Sequence, residues 1–182
     1  MKKLYKPILL FFISLIFLGF NSCDILEKLF LNLKVKETFN SQGSGPDVSE
    51  IVFDCLSNYD SFDDNFDKIQ NLKYVSAAYY TLGSVPANLG GSNINATVLD
   101  CNNNIILEQN IPVALASDYT SNPYQFILTQ NEIDTFNKYL KDYQNCDCFT
   151  AILTIQQVTP TGLTSYSLDG VVEIIIEIEA KL

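Results

Sequence analysis

Apolar and polar residues alternate along much of this chain, the pattern of a strand with one buried face. Leu31, Leu33 and Val35 take turns with Asn32, Lys34 and Lys36, which predicts a strand over 31–36. Ser41–Pro46 contains glycine and proline and ends that run. Further strands are predicted over 49–55, 74–82, 93–101 and 111–116, with Pro112 assigning the last to a sheet edge. Asn102-Asn103-Asn104 separates Cys101 from the apolar run Ile105–Leu107 and predicts a hairpin. Residues 124–128 read as a short strand or the entry to a helix. The chain closes with strands over 149–157 and 171–182, and Asp169-Gly170 is expected to turn the chain into the second. There Val172, Ile174, Ile176, Ile178 and Ala180 face one way, and Glu173, Glu177, Glu179 and Lys181 the other.

Two stretches change period. Phe62, Phe66 and Ile69 are spaced for one helical face, and Ser61 with Asp64 forms a capping-box pattern, so a helix is expected over 62–71. Thr129-x-x-Glu132 is a second such pattern. Ile133, Phe136, Leu140 and Tyr143 follow it and predict a helix over 130–143. Seven or eight short strands with turns between them give the expected class: mainly β, an antiparallel β-sandwich of immunoglobulin-like architecture, with one or two short α-helices.

The first 23 residues follow another logic. Lys2, Lys3 and Lys6 precede Ile8–Phe20, a run without charge. Thirteen helical residues rise only about 20 Å, short of the roughly 30 Å hydrocarbon core, so a secretory signal fits better than a membrane span. Ser22-Cys23 ends this stretch, which resembles bacterial lipoprotein signal peptides; Phe20 and Asn21 depart from the Leu and small residue usual there. The resemblance implies cleavage before Cys23, lipidation of Cys23 and attachment to a membrane through that lipid. The expected organisation is a signal peptide at 1–22, lipid anchor and tether at 23–30, and a single β-sandwich domain at 31–182.

Composition narrows the function. Loss of residues 1–22 removes three lysines and no acid, taking the net charge from −10 to −13. That opposes binding to nucleic acid or to an anionic bilayer surface. The chain has no His, Arg or Trp. Catalysis through a Ser-His-Asp or Cys-His pair is excluded, as is an arginine fork for phosphate. No nucleophile or cofactor motif is present, and neither enzymatic activity nor a cofactor is expected.

Three groups remain as candidate chemistry. Cys55, Cys101, Cys146 and Cys148 are an even set in an exported chain and predict disulfides, with free thiols or a Cys-x-Cys metal or redox site as alternatives. Cys146 and Cys148 are too close in sequence to bridge each other easily, which leaves two pairings with Cys55 and Cys101. Asp60, Asp63, Asp64 and Asp67 form an oxygen-rich run that could suit calcium, yet without the Gly and Glu of the known loop; a capped helix start explains it as well. Tyr74, Tyr79, Tyr80, Tyr119 and Tyr124 offer platforms for sugars or peptides, or simply core packing. The expected function is a non-enzymatic interaction or structural module, lipid-anchored on a cell envelope. The alternative is a surface binder of a small ligand or glycan. An envelope protein or a glycan is the expected partner; the ligand-binding residues are not specified.

Overall fold

The computed structural model describes residues 28–182. The expected Cys23 anchor lies outside them. Eight strands form two four-stranded antiparallel sheets. In chain order they are β1 (Lys28–Gly43), β2 (Val48–Cys55), β3 (Ile69–Val85), β4 (Asn93–Asp100), β5 (Ile105–Pro112), β6 (Tyr124–Gln125), β7 (Cys148–Gln156) and β8 (Tyr166–Lys181). A single helical turn α1 (Asp60–Asp63) follows β2, and α2 (Gln130–Lys141) precedes β7.

The first sheet has the order β1-β8-β3-β6, the second β2-β7-β4-β5. Strand 1 therefore pairs with 8, 2 with 7, 3 with 6 and 4 with 5. That is a long hairpin folded over itself, its tip between β4 and β5. The expected β-sandwich is present, and its connectivity is that of an eight-stranded jelly roll. Leu33, Val35 and Phe39 from β1, Ile174, Ile176 and Ile178 from β8, and Ala96, Val98, Ala151 and Leu153 from the second sheet meet between the layers.

The alternation extends further than the shortest reading of it. β1 begins at Lys28, so Lys28–Phe30 belong to the sheet and not to the tether expected over 23–30. Leu29 and Leu31 already turn inward there. β1 also continues past Lys36 to Gly43, carrying Glu37, Phe39 and Ser41 on its inner face.

The helix expected over 62–71 is not formed as such. α1 ends at Asp63, a 3-10 turn covers Phe66–Lys68, and Ile69 starts β3. Tyr59, not Ser61, is the N-cap of α1, without a side-chain cap. Phe62 and Ile69 still reach the core. The reason is competition: a ten-residue helix is marginal in water, whereas from Ile69 onward the backbone gains a ladder with β8. α2 differs. Its capping box is complete, with Thr129 Oγ1 accepting the Glu132 amide and Glu132 Oε2 accepting the Thr129 amide at 2.6 Å.

Asp169-Gly170 does not turn the chain. Both lie inside β8, where Gly170 pairs with Phe39 and Thr81. A Cβ at Gly170 would stand 2.9 Å from the Tyr79 ring and 3.0 Å from Leu153. Glycine is there because two side chains crowd the backbone, a use that a turn signal in sequence mimics. Asn102–Asn104 does turn the chain, with Asn103 at φ 61° and the Asp100 carboxylate accepting the amides of Asn102 and Asn104 at 2.8 Å. The strand expected over 111–116 does not form: β5 runs on from the 102–104 turn and ends at Pro112, at the edge of the second sheet, and a 3-10 turn covers Ala116–Tyr119.

Candidate interaction face

Both disulfides sit at one end of the second sheet. Cys55, the last residue of β2, stands opposite Cys148, the first of β7, and the two are bonded. Cys101, just after β4, is bonded to Cys146. Of the two pairings left open by spacing, this one matches the strand ends that the sheet brings together. The intervening Asp147 is held by its carbonyl, which accepts the Leu56 amide at 2.9 Å and the Tyr139 hydroxyl at 3.2 Å. β1 begins and β8 ends in the same direction but well beyond the bridges, since Tyr59 ties Asp54 to Lys36 and Glu37 in the middle of β1; this end of the first sheet is the basal end. Two such bridges belong to a chain that folds in an oxidising compartment.

From the bridged end the outward side chains of the second sheet form rows across its strands. Phe53, Thr150, Leu99 and Ile105 make the first full row. Ile51, Ile152, Thr97 and Glu108 make the next. Phe53 is 68% exposed, Ile51 63% and Ile105 54%, so an apolar band lies open to solvent. Ser49, Thr154, Asn95 and Asn110 form the third row. Its side chains are tied to one another: Ser49 and Thr154 hydroxyls lie 2.8 Å apart, and Asn95 Nδ2 donates to Asn110 Oδ1 at 3.0 Å. Thr97 Oγ1 donates to Asn95 Oδ1 at 2.7 Å and Asn93 Nδ2 to Asn110 Oδ1 at 3.2 Å. Glu108 is the one ionisable side chain among the outward positions of these four strands. Exposed apolar surface rimmed by small polar groups is the usual make-up of a contact surface.

A second cluster closes the seam between β1 and β2. Glu37 is 4% exposed, and its Oε1 accepts the Tyr59 hydroxyl at 3.2 Å. The same hydroxyl donates to Asp54 Oδ2 at 2.8 Å. Asp54 also accepts the Cys55 amide at 2.8 Å and Asn58 Nδ2 at 2.5 Å. Burial, reinforced by the Asp54 carboxyl, pushes Glu37 up to about 7. Burial works in the same direction on Asp54, yet the hydrogen bonds from Asn58, Tyr59 and the Cys55 amide outweigh it and hold Asp54 below the usual range. Burial and then Asp54 drive the Tyr59 phenol well above its ordinary value. The group joins one sheet to the other through a phenol, and its inward position makes it structural.

The remaining candidates separate. Asp60, Asp63, Asp64 and Asp67 are exposed along α1 and the turn after it, and no three of their carboxylates come within 4.8 Å of one another. Cys55, Cys148 and Asp147 do converge, but with both sulfurs bonded to each other they offer no thiolate to a metal. Tyr79 is buried, and a run of edge-to-face contacts leads from it through Tyr119 to Tyr124. Tyr74 packs on Phe136. Tyr80 faces outward on the first sheet with Lys36 Nζ 5.4 Å from its ring centre. The tyrosines therefore split between core and rim. A cleft of about 640 Å³ runs between the 102–104 turn and α2, lined by Asp100, Asn104, Lys138, Tyr139, Lys141 and Asp142 among others.

No protein-family model matches the chain, and no curated protein matches it. Solved structures do resemble it. That of Desmodium yellow mottle tymovirus is similar at 10% identity, over 85% of this chain and 83% of its own, with a TM-score of 0.43. That of turnip yellow mosaic virus is similar at 12% identity, over 84% and 96%, with a TM-score of 0.36. That of mud crab tombus-like virus is similar at 9% identity, over 85% and 82%, also at 0.36. At these values the likeness says nothing of what this chain does, and the jelly-roll assignment rests on the strand order alone.

Sequence reasoning reached the cysteines and missed the face and the seam. The signal for the face was present: Ile51 and Phe53 alternate with Glu50, Val52 and Asp54 in β2. Which of the two sets faces solvent depends on the opposite sheet. Glu37 was missed because the first strand was ended at Lys36; carried one residue further, the alternation puts an acid on the core face.

Proposed function

We propose that this chain is a non-catalytic interaction module of a bacterial envelope, lipid-anchored at Cys23, and that the outer face of the β2-β7-β4-β5 sheet is its contact surface. The observation that carries this reading is that face: four strands wide, one ionisable group, and Ile51, Phe53 and Ile105 more than half exposed on a chain of net charge −13 without residues 1–22. The disulfides support an extracytoplasmic location. Among the described residues no helix is long and apolar enough to cross a membrane, so attachment in this reading falls to the lipid. β1 starts five residues after Cys23, and five residues reach at most about 18 Å, so the basal end would stand close to the bilayer. Metabolic acyl labelling with membrane fractionation tests the anchor. Label and membrane attachment are expected in the wild type and lost in Cys23→Ser; a wild type without label would remove it.

A second reading, a surface binder of a small ligand or glycan, is supported by the cleft beside α2, where two lysines, two aspartates and two amides converge. Isothermal titration with envelope oligosaccharides tests it. Binding should be lost in Lys138→Ala/Lys141→Ala, and absence of heat across the panel would dismiss it.

A further inference from the structure

We infer that the occupant of the outer face is a second copy of this chain, packed sheet to sheet about a two-fold axis that runs along the strands. The inference rests on the contact face proposed above and names its partner. Charge gives the first argument. Two chains that each carry a net charge of −13 once residues 1–22 are removed repel over most of their surfaces, and the acids and lysines are spread over the rest of the molecule. A face with Glu108 as its sole ionisable group is where two copies can approach with least opposition. Self-association through it needs no oppositely charged partner.

Area gives the second. Four strands at about 4.8 Å spacing and eight residues at about 3.4 Å rise cover roughly 500 Å². Two such faces bury about 1,000 Å² in total, the lower bound for a specific interface and more than most chance contacts bury. The band of Phe53, Ile51, Ile152, Leu99 and Ile105 supplies the apolar part, and the Ser, Thr and Asn side chains, several of them bonded to one another, supply a polar rim.

Symmetry gives the orientation. A two-fold pair puts the same patch on both partners. With the axis along the strands, every row meets itself with its ends exchanged. Phe53 then lies over Ile105 of the second copy, Thr150 over its Leu99, and the Ser/Thr/Asn row over the same row. In the next row Ile152 lies over Thr97 of the second copy and Ile51 over its Glu108, which stands on the edge strand β5. With the axis across the strands the Phe53 row would instead meet the far end of the face, the row of Gln156, Asn93 and Pro112. The first arrangement also points both basal ends the same way. Two chains held in one bilayer by tethers of about 18 Å require that. Sheets packed in this manner stand about 10 Å apart with strands inclined by about 30°.

The test uses the full chain in intact cells, with Phe53 replaced by the photoreactive p-benzoylphenylalanine. Irradiation is expected to give a product of twice the chain's mass, with the crosslinked peptide containing Ile105. The same probe at Tyr80, on the other sheet, is expected to give none. Adding Ile152→Glu to the Phe53 probe should abolish the product while the chain still unfolds cooperatively, because Ile152 points outward. A Phe53 product of any other mass, a glycan adduct, no product, or a product that survives Ile152→Glu would each overturn the pair. Acyl labelling reports on the anchor separately: label without the product removes the pair and keeps the anchor, and the product without label does the reverse.

Discussion

Glu37 shows how one inward side chain couples this fold to pH. The Tyr59 hydroxyl has one proton and two carboxylate oxygens within 3.2 Å, and a neutral Glu37 relieves that conflict. The Lys36 ammonium lies over Tyr80 and does not serve it. Between the ordinary value of 4.5 and about 7 the unfolded chain has released this proton and the folded chain keeps it. Fewer protons bound in the unfolded state means stability falls as pH rises through that window, by about 1.4 kcal/mol per pH unit from this group. Asp54, held low, acts oppositely: its contribution is present above its unfolded value and lost as pH falls through the folded one. Urea midpoints at pH 5 and pH 7.5 should therefore differ in the wild type and converge in Glu37→Gln; an equal slope in both would refute the assignment. Gly170 gives a second prediction at this scale. Gly170→Ala brings a methyl to 2.9 Å from a buried ring, and a cost of about 1–3 kcal/mol is expected in equilibrium unfolding.

Among the elements, the two capping-box patterns had opposite fates. Thr129 and Glu132 close on each other at the start of a three-turn helix whose Phe136, Tyr139 and Leu140 are buried. The bonds from the Thr129 side chain and amide hold Glu132 below the usual carboxylate range. Thr129→Ala is expected to cost about 1 kcal/mol, read as a lower denaturant midpoint with unchanged slope. Ser61 and Asp64 occupy the same relative positions in sequence, but the turn between them stops at Asp63 and the chain enters β3. A cap adds to a helix that tertiary packing keeps; it does not create one against a seventeen-residue strand that gains a ladder with β8. The β2 edge illustrates the same dependence. Its apolar outward residues would be a core face if a layer lay over them.

At the scale of the molecule, the jelly-roll pairing brings residues far apart in sequence to one end of the sandwich, and the disulfides hold it there. Cys55–Cys148 spans 93 residues and Cys101–Cys146 spans 45. Each closes a loop that would be costly to close in the unfolded chain, so replacing Cys101 and Cys146 together by Ser should lower stability by about 2–4 kcal/mol. Dithiothreitol should shift the wild-type melting temperature downward. A melting temperature indifferent to the reductant would mean that the bridges contribute nothing.

The sequence by itself determined the strands, the class and the chemistry available. Period-two alternation is a local property, so Leu31–Lys36 and Val172–Lys181 announced their strands and inner faces. Missing His and Arg closed whole reaction classes. The spacing of Cys146 and Cys148 reduced the pairings to two. Only the tertiary structure decided which strand lies beside which, because pairing joins residues as far apart as Lys28 and Lys181 through backbone groups that are alike at every position. From that followed the choice of Cys148 for Cys55, the burial of Glu37 beside Asp54, and the place of Gly170 under a ring instead of in a turn. The exposure of Phe53 followed too, since an alternating strand has two faces and only the opposite sheet selects the one that is buried.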